Sequence, residues 1–143
     1  TMIKTYRPGV DDDAIVDIWL KASRLAHPFL GEDFLQREAD TIRHTYLPAA
    51  DTRTVWMDAR PVGFISLLGN QVGGLFLDPA FHGHGLGRAL VDDAVARRGR
   101  LELDVFVDNP VGRRFYARYG FVETGRHVDA PTGHPVIRLR YPA

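Results

Sequence analysis

The sequence predicts an α/β fold: a mixed, mostly antiparallel sheet in one layer with helices packed on its faces. Three observations predict it. Short apolar runs with two-residue alternation occur on both sides of helical patterns, so strands and helices interleave. Three strand patterns joined by short turns stand in succession in the middle of the chain, which makes neighbouring strands antiparallel there. The last of them runs through Leu75, Phe76 and Leu77 into a glycine-rich turn that opens a helix. At 143 residues, 45% hydrophobic and 25% charged, the chain is expected to form a single domain over 1–143 with a real core.

Each element has its own reason. Met2–Arg7 alternates and reads as a first strand, closed by Pro8-Gly9. Asp11 or Asp12 offers a side-chain cap for a helix from Asp12 to about Ala26, whose Ile15, Ile18, Trp19, Ala22, Leu25 and Ala26 share one face. The segment His27 to Gly31 interrupts it. A second helix is expected from about Glu32 to Tyr46, with Leu35, Ala39, Ile42 and Tyr46 inward and Pro48 ending it. Thr52–Met57 and Val62–Leu68 read as strands joined through Asp58, Ala59, Arg60 and Pro61. Gly69-Asn70 then turns the chain into the central strand.

After the glycine turn, Leu86, Leu90, Val91, Ala94 and Val95 predict a helix ending near Gly99. In the next strand Leu101, Leu103, Val105 and Val107 point one way, and Glu102, Asp104 and Phe106 the other. Asn109-Pro110 opens a short helix carrying Val111, Phe115 and Tyr119, which stops at Gly120. Phe121–Val128 and His134–Tyr141 close the chain as two strands around a Pro131-Thr132-Gly133 turn.

Composition excludes several functions. Lys+Arg 18 against Asp+Glu 18 gives a formal net charge of +0, which argues against a nucleic-acid partner. The absence of cysteine removes disulfides, thiolate metal ligands and an acyl-cysteine intermediate. No apolar run approaches a membrane span, and Thr1 to Lys4 does not read as a signal peptide, so a cytoplasmic protein is expected.

The glycine turn carries the chemistry. Gly83, Gly85 and Gly87 free the backbone of Cβ atoms where a helix begins, which leaves N–H groups at its positive end to receive an anion, usually a phosphate. A tight turn needing positive φ would use the same residues. A dinucleotide site would too, with Asp104 as its ribose acid, but Arg88 stands where the third glycine of that fingerprint belongs. The third reading is a pantetheine-linked nucleotide, coenzyme A.

Leu75 to Pro79, His82-Gly83-His84-Gly85-Leu86-Gly87 and Arg88-Ala89-Leu90 resemble the acyl-CoA signature of the GNAT N-acetyltransferase superfamily, Q/R-x-x-G-x-G/A. Asn109, Phe115-Tyr116 and Gly120-Phe121 are similar to its second motif, N-x-x-A-x-x-F-Y-x-x-x-G-F. Within the superfamily the chain most resembles the bacterial YjaB-type acetyltransferases, sharing His27-x-Phe29-Leu30, Leu47-Pro48, Val62-Gly63-Phe64 and Thr124-Gly125-Arg126. Two departures stand out. His82 replaces the usual Gln or Arg, and Gly112 replaces a small Ala, which on sequence grounds costs helix propensity and little else.

The resemblance implies a splayed strand pair with the pantetheine arm of acetyl-CoA in the gap. Main-chain groups of Leu75, Phe76 and Leu77 would pair with that arm, and an N–H near Leu77 would polarise the thioester carbonyl. Residues His82 to Arg88 would hold the diphosphate, with Asn109 and Phe115 beside the cofactor; Asn109 would also serve as a helix N-cap. Tyr116 would return a proton to the departing thiolate, uphill by about 1.5 pKa units or about 2 kcal/mol. Asp104 or His27 would take the proton of the attacking amine.

The activity implied is direct transfer of acetyl from acetyl-CoA to a primary amine in a ternary complex, by a monomer or homodimer. A non-catalytic CoA-binding domain of the same fold is the contrasting reading. The acceptor pocket would lie between the His27–Gly31 loop and the final strands. Arg97, Arg98, Arg100, Arg113 and Arg114 are placed either at adenosine phosphates or in solvent. His82 and His84 have zinc-ligand spacing beside Asp78, yet no third ligand or supporting carboxylate is legible, so no metal is expected.

Overall fold

The structure is a computed structural model describing residues 2–143. Strand β1 (Met2–Thr5) is shorter than its alternation suggests. Tyr6 N–H still reaches Thr52 O at 2.9 Å, but Arg7 turns back onto Asp11. The buried Asp11 carboxylate accepts from Arg7 N–H at 2.8 Å and pairs with its guanidinium at 2.9 Å. Asp12 accepts from Gly9 N–H and the Tyr6 hydroxyl. Neither carboxylate therefore caps helix α1 (Asp12–Ala26) by its side chain; both tie down the loop before it. Helix α1 buries Ile15, Ile18, Trp19 and Ala22 as predicted, whereas Leu25 is exposed because the last turn leaves the core.

A 3₁₀ turn, Pro28–Leu30, leads into α2 (Glu32–Thr41). The expected continuous helix to Tyr46 is instead broken by one π-helical turn, Ile42–Tyr46, before a short α3 (Leu47–Ala49). Pro48 explains the break. In a regular helix its ring would crowd the carbonyl of His44; here Leu47 N–H donates one residue further back, to Ile42 O.

Strands β2 (Asp51–Met57) and β3 (Arg60–Leu68) form a hairpin with a two-residue turn, so Arg60 and Pro61 belong to the strand. Asp58 and Ala59 adopt φ of 53° and 63°, the left-handed pair that matches the twist of a two-residue hairpin. Strand β4 (Gln71–Leu77), helix α4 (Leu86–Arg98), strand β5 (Leu101–Phe106), helix α5 (Pro110–Tyr119) and strands β6 (Val122–Val128) and β7 (Pro135–Tyr141) complete the chain. Sheet order is β1-β2-β3-β4-β5-β7-β6, and β4 with β5 is its parallel pair.

Two cores flank the sheet. On one face α4 buries Leu86, Leu90, Val91 and Ala94 against Val55, Ile65 and Leu103. On the other, α1 and α2 bury Ile15, Ile18, Trp19 and Leu35 against Phe64. Each such aliphatic side chain contributes about 1.5–3 kcal/mol on burial. Ion pairs fix the far end of α4: Arg97 meets Asp51 and Asp93, and Arg98 meets Asp51. Both arginines are thereby committed to carboxylates about 18 Å along the helix from its start, away from any phosphate held there. Among the described residues no helix is long and apolar enough to cross a membrane.

Candidate active site

Asp78-Pro79 ends β4, and the buried Asp78 carboxylate accepts from Ala80 N–H at 3.0 Å to start the turn. Gly83 (φ +83°) and Gly85 (φ +75°) occupy left-handed conformations, and a Cβ at either would meet nothing within 4 Å. Backbone geometry, not crowding, requires glycine there. Gly85 caps α4 without a side chain to fill the helix end. Ala89 is the first residue of the helix whose N–H finds a main-chain acceptor, Gly85 O at 3.1 Å. Among the described residues the amides from Gly83 to Arg88 have none, so they stand open at the positive end of the helix.

His82 and His84 are exposed, while Leu86 and Gly87 are buried and can offer only their amides. At Gly87 the limit is steric: a Cβ would lie 3.2 Å from the Phe115 ring and 3.6 Å from Leu77 Cδ1. Glycine here lets α5 and β4 close on the start of α4. Arg88 lies over the Tyr119 ring at 5.3 Å.

The turn opens onto a gap. β4 and β5 pair only at Gln71 and Glu102, where Glu102 N–H reaches Asn70 O at 2.9 Å. Beyond that point they part. On its other side β4 stays paired with β3, placing Leu77 opposite Gly63, Phe76 opposite Phe64 and Leu75 opposite Ile65, and Asp78 N–H donates to Val62 O at 2.8 Å. Hydrogen-bonded pairs alternate along an antiparallel ladder, so Phe76 spends its main-chain groups on β3 while those of Leu75 and Leu77 face the gap. An extended ligand arm can add there as a strand would.

Aromatic side chains close both faces of the gap. On the α4 side Phe115 covers Gly87, and Tyr116 packs between Phe115 and Phe121 with ring centroids 5.3 Å from each. Burial pushes the Tyr116 phenol well above its ordinary pKa, and its hydroxyl has no hydrogen-bond partner among the described residues. On the α1 side the His27 ring bridges the parting strands, 6.5 Å from Phe76 and 5.0 Å from Phe106. Burial lowers its pKa to about 4. Asn109 fixes its tautomer. The Asn109 Oδ1 caps α5 by accepting from Gly112 N–H at 3.0 Å, which turns the amide NH₂ toward His27 Nε2 at 3.3 Å. That nitrogen is then the acceptor, and the ring proton sits on Nδ1.

Gly112 does more here than the sequence suggested. A Cβ would lie 2.6 Å from the Asn109 amide nitrogen, so glycine makes room for the cap. Asp104 shares the His27 face of β5 with Phe106, but it is turned toward β7, paired with Arg138 at 3.0 Å and with His127 at 3.4 Å. His82, His84 and Asp78 do not converge as metal ligands among the described residues. Arg113 donates to Val107 O at 3.2 Å. A groove of about 400 Å³ beside α5, floored by Val105, Ile137 and Leu139, includes neither Leu75 to Leu77 nor the glycine turn.

The sequence reading took Tyr46 for an ordinary inward residue. In the structure the π-helical turn lays it across β4, where its hydroxyl is buried over Gly73. The pair Gly73-Gly74 inside a strand was the one sequence sign of a close approach.

Open amides at a helix start, leading into a parted strand pair with free main-chain groups, define a class: a protein that grips a phosphorylated ligand and lays its extended arm beside β4. Residues 50–123 match the acetyltransferase (GNAT) domain family. The chain is 31% identical over 137 residues to the peptidyl-lysine N-acetyltransferase YjaB of Escherichia coli K12, covering 92% of this chain and 90% of that one. The solution structure of apo YjaB from Escherichia coli superposes with a TM-score of 0.87 at 30% identity, covering 99% of this chain and 97% of that one. The fold also matches the PaiA N-acetyltransferase of Thermoplasma acidophilum, solved in complex with coenzyme A, with a TM-score of 0.77 at 15% identity and coverage of 99% and 100%. This chain belongs to the GNAT acetyltransferase family, and its co-substrate is acetyl-CoA.

Proposed function

We propose that the protein acetylates the side-chain amine of a lysine in a protein or peptide, by direct transfer with both substrates bound at once. The observation that carries this reading is the gap beside Leu75 and Leu77, continuous with the open amides of residues 83–88. The peptidyl-lysine assignment of the relatives supports the choice of acceptor. Acetyl-CoA supplies the activated acyl group as a thioester.

The residues divide the work. Amides of Gly83 to Arg88 receive the diphosphate, and Leu75 and Leu77 align the arm. The Leu77 N–H polarises the carbonyl as the amine nitrogen forms its bond to carbon. The carbon–sulfur bond then breaks, and Tyr116 gives its proton to the leaving sulfur; burial keeps the phenol protonated until then and makes the transfer steeper than the about 1.5 pKa units of an ordinary phenol. Of the two base candidates we assign the role to Asp104, which shares the face of β5 with Phe106; because its carboxylate is turned toward Arg138 on β7, a water bridges it to the amine. His27 already accepts from Asn109 and is a weak base at pKa about 4, so it orients instead.

The test is stoichiometry. A lysine-containing peptide incubated with enzyme and acetyl-CoA is expected to gain one acetyl group per free CoA thiol released. Thiol release without peptide acetylation, or binding without either, refutes the reading.

A further inference from the structure

Aromatic rings cluster in the region expected to hold the acceptor. Between the His27–Gly31 segment and the final strands, Phe29 packs on Phe106 at 5.4 Å and on His134 at 4.8 Å between ring centroids. A cavity of about 150 Å³ lies elsewhere, between α1, the π-helical turn and β4. Its apolar walls are Trp19, Phe64 and Phe76, and four polar side chains line it: Thr41 and Ser66, whose hydroxyls bond Arg37 O and the Thr52 hydroxyl, and Tyr46 and Glu38.

The last two lack a protein partner. The Tyr46 hydroxyl is buried without a hydrogen bond, and burial raises its pKa so that it keeps its proton. Its position is built rather than incidental: any Cβ at residue 73 would overlap it, so Gly73 and the π-helical turn together bring it onto the strand. Glu38 makes no ion pair among the described residues, and Arg43, five residues on, pairs with Asp13 instead. A buried phenol left unpaired weakens the fold, and a ligand that pairs with it removes that penalty.

Resting on the acetyltransferase reading above, we propose that this cavity is the acceptor pocket, shaped for a primary amine on a slim, unbranched apolar stem, with Tyr46 and Glu38 as its specificity-determining contacts. Size agrees. At about 30 Å³ for each water-sized group, the cavity holds about five, which matches four methylenes and a nitrogen. The aromatic walls take the stem, the Glu38 carboxylate attracts the ammonium form, and the Tyr46 hydroxyl hydrogen-bonds the nitrogen. Strand β4 forms the inner wall, so the pocket adjoins Phe76, between the two residues whose main chains face the gap.

Two readouts test it. In steady-state kinetics Tyr46→Phe and Glu38→Gln are each expected to raise KM for a lysine peptide and for butylamine about 3- to 10-fold, the range expected for one lost hydrogen bond or charge contact. KM for acetyl-CoA stays unchanged, and Tyr46→Phe is at least as stable as the wild type because it loses only an unpaired hydroxyl. Separately, butylamine is expected to change Trp19 fluorescence in the wild type, with the response lost in Trp19→Phe and weakened in Tyr46→Phe. Amine KM within twofold of wild type in both variants overturns the pocket, as does an equal rise in acetyl-CoA KM. A fluorescence response without acetyl transfer leaves the pocket standing and refutes the acetylation reading instead. No fluorescence response overturns the pocket whether or not transfer occurs.

Discussion

Replacing Gly85 by alanine separates a phosphate cradle from an ordinary tight turn. Gly85 sits at φ +75° with no atom within 4 Å of a Cβ built there, so the substitution adds backbone strain and no clash. Holding alanine in the left-handed region costs about 1–2 kcal/mol. Gly9 supplies a matched control, since it too lies at φ +75° with empty space around its Cβ, in the connection between β1 and α1. If both backbones hold, Gly9→Ala and Gly85→Ala lose the same stability in urea titrations. The turn at Gly85, however, can shed strain by leaving the left-handed conformation, which swings its amides off the ligand. A strain of about 1–2 kcal/mol corresponds to a factor of about 5–30 in the population of the competent turn, and hence in affinity. Calorimetric titration with acetyl-CoA is expected to show that loss for Gly85→Ala and none for Gly9→Ala. Equal affinities in the two variants would refute the claim that this turn's conformation holds the cofactor.

Three further outcomes follow from the site. Tyr116→Phe is expected to lower turnover about 10²–10⁴-fold with acetyl-CoA binding intact, the range for a positioned general acid; a loss below about threefold removes Tyr116 from the mechanism. Asp104→Asn is expected to lower kcat at least about tenfold with KM for acetyl-CoA unchanged, and a kcat within about threefold of wild type refutes the base assignment. His27 has a folded pKa of about 4 against an ordinary 6.5, so the unfolded chain binds its proton first as pH falls. Its contribution is therefore complete above about pH 6.5 and declines toward pH 4, by up to about 3 kcal/mol. His27→Phe should flatten that part of the stability curve measured by urea unfolding, and an unchanged slope contradicts the burial assigned to the ring.

Local rules carried most of the fold. The start of α4 was legible because three glycines and an apolar strand end leave few alternatives, and the ends of α4 and α5 because Gly99 and Gly120 take positive φ. Asn109 was legible as a cap for the same local reason. What escaped the sequence depends on partners distant along the chain. Arg97 and Arg98 find Asp51 on another element, which no helix pattern announces. The π-helical turn arises from a conflict between Pro48 and the carbonyl four residues before it, and a periodicity count passes over it. Two non-glycine residues at positive φ, Asp58 and Ala59, hid how tight the expected hairpin turn is, two residues rather than four, which Asn-Gly would have declared. At the site, Gly112 carries no sign of the amide it accommodates, because that need appears only once Asn109 has reached His27. The aromatic cluster on the acceptor side escaped for a similar reason: Phe29, Phe106 and His134 come from three separate segments, and only the folded chain shows them packed together.

The most direct test of the account is the amide spectrum of the ¹⁵N-labelled protein as acetyl-CoA is added. Signals of Gly83 to Arg88 and of Leu75 and Leu77 should shift together and saturate together, while Gly9 stays in place. Shifts confined to other residues, or none at all, would contradict the claim that this turn and this parted strand hold the acetyl donor.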